Sequence, residues 1–383
     1  MMSEQQARVL AIDRAFLNDI IRLGGTGIQR CYQCGTCTAI CPLSEEYGII
    51  PSRKVIKYVQ LGLKERATST IAPWLCFQCG DCTDKCPKEA DPSEILMALR
   101  RYTIQRFSWG RIASVFYSKV GLTVAYIVLS AFLALLMYFF HGKLALDRVD
   151  IYSFISYDTI HWAGLIVGVF VALSAIANVI IMYLSFKRGL PATSTASASA
   201  GSWVKGILAS FFIDTLTQIK LFRCGGGLRS ATARYIAHLS LFWGFAGLFL
   251  TTAFGHFIPD LLGIEVPWIY PRVSGIIFGL VLLYGTCYFI YKRLKGDEPF
   301  VKYSYFTDWA FLVLMLGTCV TGFITTLFLH LGMPMETYIA YAIHLIFLFD
   351  LLVTAPFTKF MHAIYRPFAI AIFRAYGGAT EII

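Results

Sequence analysis

The chain has 383 residues, of which 57% are hydrophobic, and its formal net charge is +10. A mean hydropathy of +0.63 excludes an ordinary water-soluble protein and indicates membrane-spanning segments. The charge alone identifies no partner, and we expect no nucleic acid partner.

The chain begins with MMSEQQARVL, which lacks the apolar core of a secretory signal, so we expect residues 1–110 to be cytoplasmic. Eight of the eleven cysteines then follow in two copies of one motif. The copies are Cys31-x2-Cys34-x2-Cys37-x3-Cys41-Pro42 and Cys76-x2-Cys79-x2-Cys82-x3-Cys86-Pro87. Without an export signal, this spacing is typical of metal ligands rather than of disulfides.

The motif predicts two [4Fe–4S] clusters with crossed ligands. Three cysteines of one loop bind one cluster, and the fourth reaches the neighbouring cluster. One cluster would be held by Cys31, Cys34, Cys37 and Cys86, and the other by Cys76, Cys79, Cys82 and Cys41. The alternative is a pair of structural zinc sites, but two full copies ending in Cys-Pro favour iron–sulfur clusters.

The rest of residues 1–110 is predicted to be helical. Apolar residues recur at helical spacing in Ser52–Arg66, behind a serine cap, and a second helix starts at Pro92. We therefore predict an all-α protein with a two-cluster ferredoxin domain over residues 1–110.

Residues 111–383 contain six apolar stretches, each close to the ~20 residues needed to cross a bilayer. They lie near 119–140, 160–185, 236–257, 271–291, 306–329 and 338–360. A flexible linker is predicted at 191–202. The following segment, Trp203–Phe222, is amphipathic, and either lies along the membrane surface or packs on the first domain.

Lys and Arg are concentrated in alternate loops, namely before the first stretch, between the second and third, between the fourth and fifth, and after the sixth. By the positive-inside rule, the N-terminal domain, the linker and the C-terminus face the cytoplasm, and the protein is a multi-pass protein of the cytoplasmic membrane.

Four histidines in the third and sixth stretches are candidate haem ligands. His238 and His256, like His344 and His362, are 18 residues apart, which is five turns and ~27 Å of helix. Because the two stretches run in opposite directions, His238 and His362 would bind an inner haem b, and His256 and His344 an outer one. Without metal, the same histidines would be interfacial or hydrogen-bonded residues.

Other polar residues leave alternatives open. His161 and His330 lie at a similar depth to His256. One of them either replaces His256 as a haem ligand or binds a quinone. Arg234 and Arg366 either bind the propionates of the inner haem or only anchor the helices at the cytoplasmic surface. Asp350 is either a hydrogen-bonded structural residue or a proton acceptor.

The motifs CYQCGTCTAICP and CFQCGDCTDKCP resemble those of the C subunit of heterodisulfide reductase. The segments RYIAHLSLFWGFAGLFLTTAFGH and AIHLIFLFDLLVTAPFTKFMHAIYRP resemble the cytochrome b subunit of heterodisulfide reductase (its E subunit) and the gamma subunit of respiratory nitrate reductase. The fusion of both resembles the C subunits of the quinone-interacting membrane-bound oxidoreductase (Qmo) complexes of sulfate-reducing microbes.

This resemblance implies two b haems, with menaquinol as the electron donor. It also implies FAD- and iron–sulfur-containing partners, which would be heterodisulfide reductase A-like subunits, and adenylylsulfate reductase as the final acceptor. His238, His344 and His362 match ligand positions of the nitrate reductase gamma subunit. At the position of that family's fourth ligand this chain has Leu248. His256 is therefore assigned as the fourth ligand only from its helical spacing to His238.

The sequence therefore predicts a membrane-bound electron-transfer subunit of a quinone-dependent oxidoreductase. We assign no catalytic residue, because the redox chemistry belongs to the cofactors. Two alternatives are the same carriers working in reverse to reduce quinone, as part of a heterodisulfide reductase-like complex, and an iron–sulfur membrane anchor without haem.

Overall fold

The computed structural model describes residues 11–43, 52–189, 198–224, 228–257, 259, 262–264, 266–267, 269–298, 300–302 and 304–377. Within these ranges every regular element is helical and no β-strand is found, which confirms the all-α prediction. The chain divides into two compact units. Unit 1 comprises Met1–Phe107, Val179–Gly226 and Ala363–Ile383, and unit 2 comprises Ser108–Asn178 and Gly227–His362.

The first helices are short, apart from α7. They are α1 Arg14–Arg22, α2 Thr36–Ala39, α3 Ser52–Gln60, α4 Lys64–Thr68, α5 Ala72–Leu75, α6 Asp81–Asp84, α7 Pro92–Phe107 and α8 Ala113–Phe116. The later helices are mostly long, namely α9 Lys119–Phe140, α10 Ile151–Phe154, α11 Tyr157–Gly189, α12 Ala200–Ala209, α13 Leu228–Thr252, α14 Ile269–Lys295, α15 Phe306–His330, α16 Pro334–Thr354 and α17 His362–Ala375. Two π-helical segments, Ser210–Thr217 and Ala253–Phe257, extend α12 and α13.

Unit 1 is built around α7, whose first two turns are buried. Val55, Ile56 and Val59 of α3, which helical spacing places on one face, are fully buried. The predicted helix over Ser52–Arg66 is instead two helices, because Gly62 between α3 and α4 adopts a left-handed φ of 67°.

The C-terminal helix α17 also belongs to unit 1, apart from its first residue, His362. Its Tyr365 is fully buried, and the ring packs edge-on against Trp74 and Phe107, with centroid distances of 5.2 and 5.8 Å. Phe186, near the end of α11, also packs edge-on against Phe107. Unit 1 therefore combines the N-terminal residues up to Phe107 with two segments that are far away in the sequence.

The segment Trp203–Phe222 contacts α17 within unit 1. Ser210 Oγ donates a hydrogen bond of 2.6 Å to the Pro367 carbonyl, and the buried Asp214 pairs with Arg374. The predicted linker is shorter than expected, since α12 begins at Ala200 with Ser199 as its N-cap, while residues 191–197 lie outside the described part of the chain.

Six of the described helices are long and apolar enough to cross a membrane, as predicted. The candidate spans are Lys119–Phe140, Tyr157–Arg188, Ser230–Gly255, Ile269–Lys295, Phe306–His330 and Pro334–Phe357. In unit 2, α13 and α14 meet at backbone distance, because a Cβ on Gly285 would lie 2.6 Å from the Ala237 carbonyl oxygen. Small residues at such contacts are typical of helix packing in membranes.

The sixth span differs from its prediction, because it does not continue as one helix to His362. α16 ends at Thr354 and is followed by 3₁₀ turns at Ala355–Phe357 and Lys359–Met361. Pro356 lacks an N–H group and cannot continue the α-helical hydrogen bonding. The five-turn register between His344 and His362 therefore does not apply.

Candidate cofactor sites

The two cysteine motifs in unit 1 have the same backbone conformation. Gln33 and Gln78 have left-handed φ values of 61° and 54°, and Gly35 and Gly80 follow with 89° and 93°. A four-residue helix comes next in each copy, α2 in the first and α6 in the second. Glycine adopts such φ values without strain, which explains its place in the Cys-Gly step of both loops.

The structure brings together the cysteines of each predicted crossed set. A cavity is lined by Cys31, Cys34 and Cys37 from the first loop and by Cys86 from the second. For the other set, the Cys82 thiol lies close enough to Cys76, Cys79 and Cys41 to interact electrostatically with all three, and it also interacts with Cys37 of the first set. The ligand assignment itself stays a prediction.

The sulfur atoms have hydrogen-bond donors around them. The backbone N–H of Gln78 donates to Cys76 Sγ at 3.3 Å, that of Ala90 donates to Cys86 Sγ at 3.4 Å, and the Thr36 hydroxyl lies 3.4 Å from Cys34 Sγ. Donors at these positions stabilise thiolates, which are the form that binds iron. The donor set therefore fits iron–sulfur clusters.

Burial opposes ionisation of several of these thiols. It raises the pKa of Cys82 far above its ordinary value, and it also raises the pKa of Cys31 and Cys37. At the exposed Cys34, the hydroxyl of Thr36 lowers the pKa. Buried thiolates need a cationic partner, and bound iron supplies that charge.

A single-ion site is not formed by these side chains. Within the described ranges, no three His, Cys, Asp or Glu side chains converge on one point as ligands of one metal ion do. Each cysteine of a cubane binds a different iron, so cluster ligands need not converge on one point.

The carbonyl group of the second loop's first cysteine has two charged donors. Arg100 Nη2 donates to the Cys76 carbonyl at 2.6 Å, and Arg366 Nη1 donates to it at 3.1 Å. The sequence predicts Arg366 as a candidate propionate ligand, whereas the structure places its guanidinium on this loop. Nothing in the sequence distinguishes Arg100 from the other arginines of α7, so its contact with the loop is visible only in the structure.

In unit 2, the side chains of His238 and His362 face one another. Their ring centroids are 6.3 Å apart, with an angle of 71° between the ring planes. An iron bound by two imidazole nitrogens at about 2 Å each holds the ring centres roughly 6 Å apart. The pair therefore has the separation that a bis-histidine haem requires.

A hydrogen bond fixes the orientation of His362. Its Nδ1 lies 2.7 Å from the Lys359 carbonyl oxygen and donates to it. In this tautomer Nε2 carries the lone pair that binds a metal, and such backbone partners are typical of metal-binding histidines.

The predicted outer pair is only partly described. His344 Nδ1 donates to the Thr318 carbonyl at 3.0 Å and lies 3.2 Å from the Thr321 hydroxyl, so Nε2 again carries the lone pair. A Cβ on Gly322 would lie 3.1 Å from the His344 ring. The side chain of His256 lies outside the described part of the structure, and its backbone is in the π-helical segment after α13.

The other predicted polar residues have the following places. Arg234 is 7% exposed, with its guanidinium over the Phe300 ring at 4.5 Å. His161 packs against the Tyr157 ring, and His330 is the last residue of α15. None of these contacts tests the predicted propionate or quinone roles.

Asp350 is buried in α16 and accepts a hydrogen bond of 2.6 Å from Ser130 Oγ on α9. Its other oxygen, Oδ1, is buried without a hydrogen-bond partner among the described residues. The Ser130 contact fits a structural role, while the second oxygen keeps the proton-acceptor alternative open.

Comparison with known proteins identifies the cysteine region. Residues 27–90 match the family model of the 4Fe-4S dicluster domain. A protein of Archaeoglobus profundus that is described as like the C subunit of heterodisulfide reductase is 35% identical over 94 residues, which are 24% of this chain and 50% of that protein. An iron-sulfur C subunit of the CoB–CoM heterodisulfide reductase of Methanocaldococcus jannaschii is 34% identical over 103 residues, 25% of this chain and 54% of that protein.

The C subunit of the H(2):CoB-CoM heterodisulfide,ferredoxin reductase of Methanothermobacter thermautotrophicus is 36% identical over 66 residues, 17% of this chain and 34% of that protein. The chain thus spans between a third and about half of the length of these relatives. No solved structure matches it significantly.

The chain therefore contains a 4Fe-4S dicluster domain, similar to heterodisulfide reductase C subunits, together with six helices that are long and apolar enough to cross a membrane. This combination indicates a redox protein that transfers electrons at a membrane. It fits a component of an oxidoreductase complex with other redox subunits.

Proposed function

We propose that the chain carries electrons from menaquinol, through two b haems and two [4Fe–4S] clusters, to a flavoprotein in the cytoplasm. The observation that carries the proposal is the pairing of two kinds of ligand set in one chain. Cysteines of both loops line one candidate cluster site, and the facing His238 and His362 match the spacing of a bis-histidine haem.

The residues of the chain have distinct tasks in this proposal. Cys31, Cys34, Cys37 and Cys86 hold one cluster, and Cys76, Cys79, Cys82 and Cys41 hold the other. His238 and His362 hold the inner haem, and His344 with His256 holds the outer haem. When bound, these groups supply one-electron carriage between two-electron donors and acceptors.

Charge supports the proposed orientation. The segments before α9, between α11 and α13, between α14 and α15, and after α16 are rich in Lys and Arg. The positive-inside rule then places the cysteine domain and α17 in the cytoplasm, and the protein in the cytoplasmic membrane. Soluble partners can reach the clusters only from this side.

The resemblance of the fused chain to the C subunits of Qmo complexes supports the identity of the partners. We infer that FAD- and iron–sulfur-containing heterodisulfide reductase A-like subunits accept the electrons. Adenylylsulfate reductase, in dissimilatory sulfate reduction, is then the final acceptor.

Quinol-driven reduction of the purified chain tests the proposal. When a menaquinol analogue is mixed with the protein, we expect the absorption bands of reduced b-type haem to appear first. The signals of reduced clusters should follow. Haem that is reduced only from the cluster side, by a low-potential soluble donor, would overturn the proposed direction. Clusters without any haem bands would leave only an iron–sulfur membrane anchor.

A further inference from the structure

The two cysteine loops repeat each other in backbone conformation but differ in what holds their first cysteine. The Cys31 carbonyl accepts a hydrogen bond of 2.9 Å from Gln60 Nε2, a neutral amide. The equivalent Cys76 carbonyl accepts from the guanidinium groups of Arg100 and Arg366. The same position in the repeat thus has a neutral donor in one loop and two positive charges in the other.

Both guanidinium groups are held in place by further contacts within unit 1. Arg100 also donates to the Pro73 carbonyl and lies 5.5 Å from the Trp74 ring centre. Arg366 Nη2 donates to the Leu75 carbonyl at 3.2 Å, and its guanidinium lies 3.5 Å from the centre of the Phe77 ring. Partly desolvated charges beside aromatic faces are screened less than charges in open water.

We propose that the positive charges of Arg100 and Arg366 raise the reduction potential of the cluster bound by the second loop. This inference rests on the proposed function, since it requires the clusters to be present. A cluster gains one negative charge when it is reduced, so nearby fixed positive charge favours the reduced form. Net charge and hydrogen bonding around the sulfur ligands are established determinants of cluster potential.

Other charges also lie near the loops. Asp81 of α6, which is half-buried like the two arginines, and the exposed Asp84 would lower the potential of the second cluster. The exposed Arg53 and Lys88 line the cavity of the first cysteine set. Solvent and salt screen exposed charges, whereas the two guanidinium groups donate hydrogen bonds directly to the second loop, so we expect them to contribute most to the difference.

Redox titration of the purified full-length chain, followed by electron paramagnetic resonance, tests the inference. We expect Arg366→Gln to lower the potential of one cluster and to leave the other unchanged. A tenfold lower ratio of reduced to oxidised cluster at a fixed potential corresponds to a shift of about 59 mV for one electron. Arg100→Gln should shift the same signal in the same direction.

Two variants separate charge from structure. Arg366→Lys keeps the positive charge and should restore most of the wild-type potential. Arg106→Gln is the matched control, because Arg106 is on the same helix as Arg100 but pairs with the exposed Glu65. It should leave both potentials unchanged.

The results distinguish this inference from the proposed function. A wild-type chain with fewer than two [4Fe–4S] signals would contradict the proposed function. Two clusters whose potentials respond equally to Arg366→Gln, or do not respond, would overturn only the role of the arginines. A lysine variant with the same lowered potential as the glutamine variant would contradict an effect of charge.

Discussion

The cysteine half and the histidine half of the chain position their candidate ligands in different ways. In unit 1, three cysteines of each set come from one short loop whose spacing and glycine fix their directions. In unit 2, His238 and His362 come from helical segments more than a hundred residues apart, and they meet only because the helices pack. Cluster sites are therefore local features, while a haem site depends on the tertiary structure of the bundle.

This difference predicts that packing defects in the bundle remove haem and spare the clusters. Loss of a loop cysteine should do the reverse. Four substitutions test this contrast, and each changes a single ligand or contact.

The largest effect is expected from His238→Ala. Removal of one ligand should abolish the inner haem and lower quinol-driven electron transfer by more than roughly 100-fold, which exceeds the usual effect of losing a residue that only hydrogen-bonds to a ligand. The pyridine haemochrome assay and quinol oxidation kinetics measure both. His141→Ala is the control, since His141 is exposed at the end of α9 and its Nδ1 donates a hydrogen bond to the carbonyl oxygen of the neighbouring Gly142. Unchanged haem content in His238→Ala would contradict the assignment.

Cys86→Ala should remove one cluster of the two. Because the ligands cross between the loops, the variant should lose the cluster of the first loop and keep that of the second, so that cluster iron falls from about eight to about four per chain. Iron and sulfide analysis checks this number. The control is Cys224→Ala, since Cys224 is a buried cysteine outside both motifs. If the second-loop signal disappeared instead, the crossed arrangement would be wrong.

Gly285→Val tests the role of helix packing. Its side chain would overlap the Ala237 carbonyl, next to His238, and should destabilise the bundle by about 1–3 kcal/mol. Thermal unfolding in detergent measures the loss of stability. The haem spectrum should weaken while the cluster signals persist, and Gly275→Val, at a site with open space around its Cβ, should be mild. Equal loss of both kinds of cofactor would remove the distinction between the halves.

The smallest effect is expected from Thr321→Val. The hydroxyl lies 3.2 Å from His344 Nδ1, but the Thr318 carbonyl still accepts the hydrogen bond from this nitrogen. We expect at most about a tenfold change in outer-haem affinity. Titration of haem into haem-depleted protein measures this affinity. Complete loss of the outer haem would show that the Thr321 hydroxyl, not the Thr318 carbonyl, orients His344.

The sequence predicts the local features well, and the reason is physical. The cysteine spacing, the Cys-Gly steps and the six apolar stretches each depend on residues close together in the chain. It does not predict the break at Pro356, the π-helical segment that contains His256 or the guanidinium pair on Cys76, because these depend on contacts between distant segments. The contact of Arg366 with the second loop likewise depends on the packing of α17 in unit 1, and its predicted roles as a propionate ligand or a surface anchor stay predictions.

Metal and haem analysis of the purified chain separates a haem-containing electron carrier from an iron–sulfur anchor without haem. We expect about eight cluster irons with matching sulfide, together with two b haems per chain. A preparation with all the cluster iron but no absorption in the Soret region would contradict it, because electrons from quinol would then have no carrier within the membrane helices.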